Sequence, residues 1–158
     1  MRYLYFWMGI AILFILTGCN AVTGTVDPEQ MTPPDVVVKI NGDTYETVRG
    51  SFCWSNNRQG VCEEYAGSVE LLADKEPIVA APGEEVTIDI PNGLVPDEYS
   101  VDFSLTNQYE NHVILAVDHK FTAPKEEGLY YFSYFARWKN KGNAFYAFLI
   151  EVDESARE

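Results

Sequence analysis

The sequence predicts an all-β protein, an antiparallel β-sandwich of about seven to nine short strands. Three observations indicate this class. Apolar and polar residues alternate with a period of two, most clearly from Tyr99 to Leu105. Turn-forming pairs such as Asn41-Gly42 and Pro82-Gly83 separate the apolar segments. Helical periodicity is weak along the whole chain.

The first residues have the features of a bacterial signal peptide. Arg2 supplies a positive charge, and Tyr3 to Leu16 is an uncharged run of 14 residues, which is short for a membrane-spanning helix. The run ends in Leu16-Thr17-Gly18-Cys19, which resembles the lipobox of bacterial lipoproteins. The resemblance implies that residues 1–18 are removed as a signal peptide and that Cys19 carries lipid. An ordinary secretory peptide or a membrane anchor ending in Cys is the alternative.

The charge of the remaining chain limits its partners. Residues 19–158 are long enough for one domain with a core. Loss of Arg2 changes the formal charge from −13 to −14. A chain with this much negative charge is not expected to bind nucleic acid. Anionic lipid headgroups should also repel the chain.

The composition divides the chain into three further parts. Residues 19–34 contain three prolines and few large apolar side chains, which is typical of a flexible tether after the lipidated Cys. Residues 35–152 should form the sandwich, and residues 153–158 a polar tail. Within the sandwich, strands are predicted at residues 36–40, 44–54, 86–90, 99–106, 113–117, 120–122, 129–138 and 144–152, with shorter runs of strand character at 69–72 and 78–80.

Three local features qualify this strand pattern. Asn41-Gly42 is a strong hairpin signal between the first two strands. Gly50 interrupts the second strand and indicates a bulge. Residues 63–72 alternatively hold one helical turn.

The cysteines predict one disulfide. If lipid occupies Cys19, then Cys53 and Cys62 remain as an even pair in an exported protein. Their bond would close a loop of ten residues, counting both ends. The chain-entropy relation gives roughly 2.7 kcal/mol for a loop of this length. A redox or metal-binding pair is the alternative, but the spacing is not Cys-x-x-Cys and no His lies near.

One segment indicates a particular kind of sandwich. Residues 123–130 hold an acidic residue, Gly, any residue and then Tyr, which resembles the corner before strand F of immunoglobulin-like domains. The resemblance implies an immunoglobulin-like β-sandwich in which the Tyr130 hydroxyl bonds to upstream backbone. The chain departs from antibody domains at Phe132, which stands where they have their second Cys, and in the local Cys53–Cys62 spacing.

A wider resemblance covers most of the mature chain. It rests on the lipobox, Gly50-Ser51-Phe52-Cys53-Trp54, the second Cys, Ala81-Pro82-Gly83-Glu84, and residues 142–148. These features resemble small lipoproteins of Gram-positive, spore-forming bacteria. The wider resemblance implies only a class of host, whereas the lipobox implies a palmitate-type lipid anchor in the cell membrane and a domain on its extracytoplasmic face.

The aromatic residues of the last hairpin supply the first candidate site. Alternate side chains of a strand point to opposite faces. One set should form core: Tyr130, Phe132, Tyr134, Ala136, Trp138, Ala144, Tyr146, Phe148 and Ile150. The other set includes Ser, Arg and Glu, so it should face solvent and expose an apolar binding patch of Tyr131, Phe135, Phe145 and Leu149. The alternative is that another segment covers this patch.

The loop between the two cysteines supplies the second candidate site. Trp54 and Arg58, with neighbouring amides, could bind a polar ligand, and the disulfide would lower the cost of ordering the loop. The alternative is a simple stapled turn.

We recognise no catalytic or metal-binding motif in the sequence. A Ser or Cys nucleophile needs a base, and the chain has two histidines, His112 and His119, which we expect on the surface. We therefore expect no enzyme, metal or cofactor, but an envelope binding module whose partner is another envelope protein or a small ligand. The alternatives are a non-catalytic structural or assembly subunit of a membrane complex and an envelope hydrolase.

Overall fold

The structure, a computed structural model, describes residues 31–56, 58–91, 93–105 and 112–157. The predictions for residues 1–18 and for Cys19 lie outside these ranges. Two antiparallel sheets pack face to face, which confirms the predicted β-sandwich. The strands are β1 (Val37–Ile40), β2 (Asp43–Glu46), β3 (Val48–Ser55), β4 (Gly60–Glu63), β5 (Ile78–Ala80), β6 (Glu85–Asp89), β7 (Glu98–Leu105), β8 (His112–Ile114), β9 (Lys120–Thr122), β10 (Gly128–Trp138) and β11 (Gly142–Val152).

The strand order is that of an immunoglobulin-like sandwich with an N-terminal addition. The smaller sheet has the order β2-β1-β6-β9, and the larger has β4-β3-β11-β10-β7-β8. Neighbours β6 and β9 correspond to strands B and E, and β7, β10 and β11 to C, F and G. Strand β5 pairs in parallel with β11. At the corner before β10, the Tyr130 hydroxyl donates to the Glu126 carbonyl at 2.9 Å, as the corner motif predicts.

The first hairpin forms as predicted, but its return strand does not. Asn41 and Gly42 both have positive φ, 53° and 87°, as a two-residue type I′ turn requires. The predicted strand over residues 44–54 is wrong because β2 ends in the smaller sheet and β3 begins in the larger one. Thr47, between them, donates its hydroxyl to the Val36 carbonyl at 2.7 Å. An alternating pattern cannot show such a change of sheet, because both strands keep the same period.

Gly50 lies at the predicted bulge. The register between β11 and β3 shifts between Ala144 and Tyr146, which face Phe52 and Arg49. A Cβ atom at Gly50 would overlap the ring of Phe145. Glycine is therefore needed here so that the Phe145 ring can lie flat against β3.

The predicted core set is confirmed. All nine of its side chains are at most 4% exposed. Phe132 and Phe148 stack with ring centroids 5.1 Å apart at the centre of the core. The Tyr146 hydroxyl donates to the Pro34 carbonyl at 2.6 Å, and Pro33 and Pro34 are buried. These two residues, expected in the tether, therefore pack as part of the sandwich.

Residues 69–71 lie in a helix and Leu72 caps it, so the strand predicted over residues 69–72 does not form. Helix α1 (Ser68–Leu71) is a single turn, which agrees with the alternative of one helical turn in this region. A helical turn places Val69 and Leu72 three residues apart on one side. Both pack with β10 and β11 on the outer face of the larger sheet.

The disulfide is confirmed. Cys53 and Cys62 are bonded and lie directly opposite each other on β3 and β4, with Cα atoms 4.1 Å apart. The bond therefore staples the β3–β4 hairpin near its tip. At the other end of the chain, the expected polar tail contains a short 3-10 helix, Glu154–Arg157.

Candidate functional site

The outer face of the larger sheet is half covered. Leu72, Tyr131, Ala147 and Leu149 form a second buried cluster beneath helix α1. Tyr131 is 8% exposed and Leu149 is 5% exposed. The prediction that these two residues belong to an exposed patch is therefore wrong. Helix α1 is the segment that covers them, as in the alternative interpretation of this face.

Phe135 and Phe145 remain at the uncovered half of this face. Phe135 is 43% exposed, and it lies directly opposite the half-buried Phe145 in the β10–β11 register. Leu71 and the backbone at Gly50 lie beside the Phe145 ring. Phe145 therefore supports Phe135, and Phe135 is the aromatic ring that a partner could reach.

A row of small and polar side chains runs beside these rings. On β7, Ser100 lies opposite Phe135, and Asp102 lies opposite Ser133. On the next strand, Val113 lies opposite Asp102 and is 80% exposed. We call this surface the outer-face trough: Ser100, Asp102 and Ser133 form its floor, and Phe135, Phe145 and Val113 form its sides. Strands β10 and β8 are two strand spacings apart, so the trough is about 10 Å wide.

Asp102 is the unusual charge in the trough. Its carboxyl group is half buried, and this burial raises its pKa, while a hydrogen bond from the Ser133 hydroxyl acts in the opposite direction. In the described part of the chain, Asp102 has no salt-bridge partner. A desolvated carboxylate without a cation costs stability, and such groups are concentrated at functional sites.

The trough ends at a free sheet edge. Among the described strands, β8 is terminal in the larger sheet, and no other described strand pairs with its outer side. Val113, in β8, is 80% exposed, and Leu115 and Val117, which follow the strand, are 86% and 61% exposed. Natural sheets usually protect edges with charges, bulges or covering segments. An apolar edge of this kind is suited to pairing with another extended chain.

The second candidate site, the loop between the two cysteines, does not bring Trp54 and Arg58 together on one exposed surface. Trp54 is 4% exposed and packs edge-on against Trp138 in the core, with ring centroids 5.2 Å apart. The prediction of a ligand-binding Trp54 is therefore wrong. Arg58 is exposed in a turn whose backbone N–H groups, at Arg58 and Gln59, donate to the Asn56 side chain at 2.9 Å. The loop is thus a stapled turn with an exposed cation.

The two histidines differ in their surroundings. His112 is exposed and stacks on Phe103. His119 is half buried, stacks on Tyr99 with centroids 4.1 Å apart, and has its Nδ1 3.1 Å from the Tyr134 hydroxyl. Burial lowers the His119 pKa, although nearby Asp118 raises it. The prediction of a surface position is therefore wrong for His119.

The described residues contain no cluster of three or more His, Cys, Asp or Glu side chains able to hold a metal ion. Within the same residues, no helix has the length and apolar character needed to cross a membrane.

No family model, curated protein or solved structure matches this chain. The candidate site therefore rests on the geometry and chemistry of its own residues.

Proposed function

We propose that the protein is a lipid-anchored module on the extracytoplasmic face of a bacterial membrane, and that its outer-face trough binds an extended segment of another envelope protein. The observation that carries the proposal is the exposed Phe135 near the half-buried Asp102, which has no salt-bridge partner among the described residues. An apolar anchor next to a specific polar group is the usual composition of a protein-binding site.

The free edge favours a protein segment over a small ligand. An extended segment can pair its backbone with β8, as in binding by strand addition. Its alternate side chains would then lie over the trough. An apolar side chain would contact Phe135, and a basic or amide group would donate to Asp102 in addition to the Ser133 hydroxyl.

The anchor is proposed from the sequence. Leu16-Thr17-Gly18-Cys19 supplies a lipobox-like site after an apolar run of signal-peptide length. Replacing Cys19 with Ala should release the protein from the membrane fraction or leave it unprocessed. Cell fractionation and the mass of the mature N-terminal peptide measure this. Unchanged processing and membrane retention would refute the anchor.

The binding surface is tested by separating binding from stability. Phe135→Ser should sharply reduce recovery of the partner after crosslinking in intact membranes, and should cost little stability because the ring is 43% exposed. Phe132→Ala should instead destabilise the domain by roughly 3–5 kcal/mol, because it empties a core site. Thermal melts and pull-downs on both variants distinguish these effects.

Val79→Ser is the matched control. Val79 is 51% exposed on β5, at the edge of the same sheet and away from the trough. It should change neither partner recovery nor the melting temperature to any large extent. If Phe135→Ser unfolds the domain as badly as Phe132→Ala, the residue belongs to the core and the proposed site is wrong.

A further inference from the structure

One end of the sandwich is positively charged although the chain is acidic overall. The tips of the β3–β4 and β10–β11 hairpins meet here, where the Ser55 backbone N–H donates to the Lys141 carbonyl at 2.7 Å. Arg58, Lys139 and Lys141 are exposed at these tips. None of the three forms a salt bridge within the described chain. The chain as a whole has a formal charge of −13, so this end differs in sign from the remainder.

The acidic residues at this end do not cancel its positive charge. Glu98 forms a salt bridge with Arg137 at 3.2 Å. Asp97 accepts the Lys139 backbone N–H at 2.6 Å. These two acids and the basic side chains of β10–β11 line a shallow depression of about 750 Å³. With Arg58 included, basic side chains at this end outnumber acidic ones.

Two exposed aliphatic side chains lie at the same end. Leu94 is 41% exposed and Val95 is 62% exposed. The Trp138 indole N–H, at the end of β10, donates to the Leu94 carbonyl at 2.7 Å. Cations combined with exposed aliphatic residues are typical of surfaces that lie in a membrane interface.

The chain also enters the domain at this end. The Asn56 side-chain amide, in the β3–β4 turn, donates to the sulfur of Met31 at 3.1 Å. Residues 20–30 separate Met31 from Cys19. Even a fully extended chain of that length reaches only about 40 Å. A lipid on Cys19 would therefore tether the domain at this end and bring the hairpin tips within reach of the bilayer.

We infer that this end docks onto an anionic phospholipid surface. We call it the tip surface and define it by Arg58, Leu94, Val95, Lys139 and Lys141. The inference rests on the proposed lipid anchor at Cys19. The three cations attract anionic headgroups, and the two aliphatic side chains enter the headgroup layer. The strands then point away from the bilayer, so the outer-face trough opens sideways to neighbouring envelope proteins.

The inference is tested by measuring how fast lysines are acylated in the lipidated protein of wild-type sequence. The protein is reconstituted in vesicles of phosphatidylcholine alone or of phosphatidylcholine mixed with an equal amount of phosphatidylglycerol. Mass spectrometry then gives the acylation rate of each lysine. With phosphatidylglycerol, Lys139 and Lys141 should react about fivefold more slowly, which corresponds to the attraction of about one cation to an anionic surface. Lys125, near the other end of β10, should react equally in both vesicles.

Two variants test the electrostatic origin of the protection. Arg58→Glu keeps both probe lysines and should abolish their protection, as should high salt. Lys125→Glu makes the same change of charge at the far end and should leave the protection intact. Equal rates in both vesicles, or protection that survives Arg58→Glu, would overturn the inference. Because the mass of the Cys19 peptide reports lipidation separately, an unlipidated chain would instead count against the anchor.

Discussion

At the scale of single residues, burial decided which predicted side chains remain available for binding. The sequence showed which side chains share a face, because strand alternation determines this. It could not show that a segment more than fifty residues upstream covers Tyr131 and Leu149 and leaves Phe135 uncovered. Asp102 was also missed, because its alternation with apolar neighbours is typical of any half-exposed strand.

Asp102 should make the domain less stable near neutral pH. Burial raises the pKa of its carboxyl group in the folded state. The unfolded chain therefore releases this proton more readily, so stability is lost as pH rises above the unfolded value of about 3.9. Asp102→Asn removes the charge while keeping an acceptor for Ser133, and it should raise the melting temperature at pH 7.

Thermal melts across a range of pH measure this effect. The gain from Asp102→Asn should shrink as the pH falls towards the pKa of the unfolded carboxyl group. Asp43→Asn, at an exposed position on β2, is the control and should change little. A variant that melts below the unmodified protein at pH 7 would show that the charged form of Asp102 stabilises the fold.

At the scale of elements, the sequence predicted strands well and their partners poorly. The strongly alternating β7 and the long β10–β11 hairpin formed as expected, because period and turn signals are local. Helix α1 was predicted mainly as a strand, since four apolar-rich residues fit both periods. The pairing of β3 with β11 and the terminal place of β8 depend on contacts distant in sequence, which no local pattern contains.

The disulfide should stabilise the β3–β4 hairpin, which lies at the edge of the larger sheet. Replacing both Cys53 and Cys62 with Ser should lower the free energy of unfolding by roughly 2.7 kcal/mol, as expected for a loop of this length. Chemical denaturation of the variant and of the unmodified protein, without reductant, measures the difference. Two free thiols in the unmodified protein, or equal denaturation midpoints, would contradict this role.

At the scale of the whole molecule, the arrangement of charge matters more than its total. The net charge predicted repulsion from anionic headgroups, yet Arg58, Lys139 and Lys141 gather at one end when the hairpin tips meet. The tip surface and the outer-face trough occupy different parts of the sandwich. In the proposed arrangement, the tip surface faces the membrane and the outer-face trough faces a partner.

Site-specific photocrosslinking in intact cells tests whether the outer-face trough binds a partner. A photoreactive amino acid is placed in the full chain at Phe135, at Val113 or, as a control, at Val79. If the trough binds an extended segment, positions 135 and 113 should give one adduct of the same mass, position 79 should give none, and the adduct should weaken when Asp102 is also replaced by Ala. Absence of adducts at both trough positions, or the same adducts from position 79, would contradict binding at the trough.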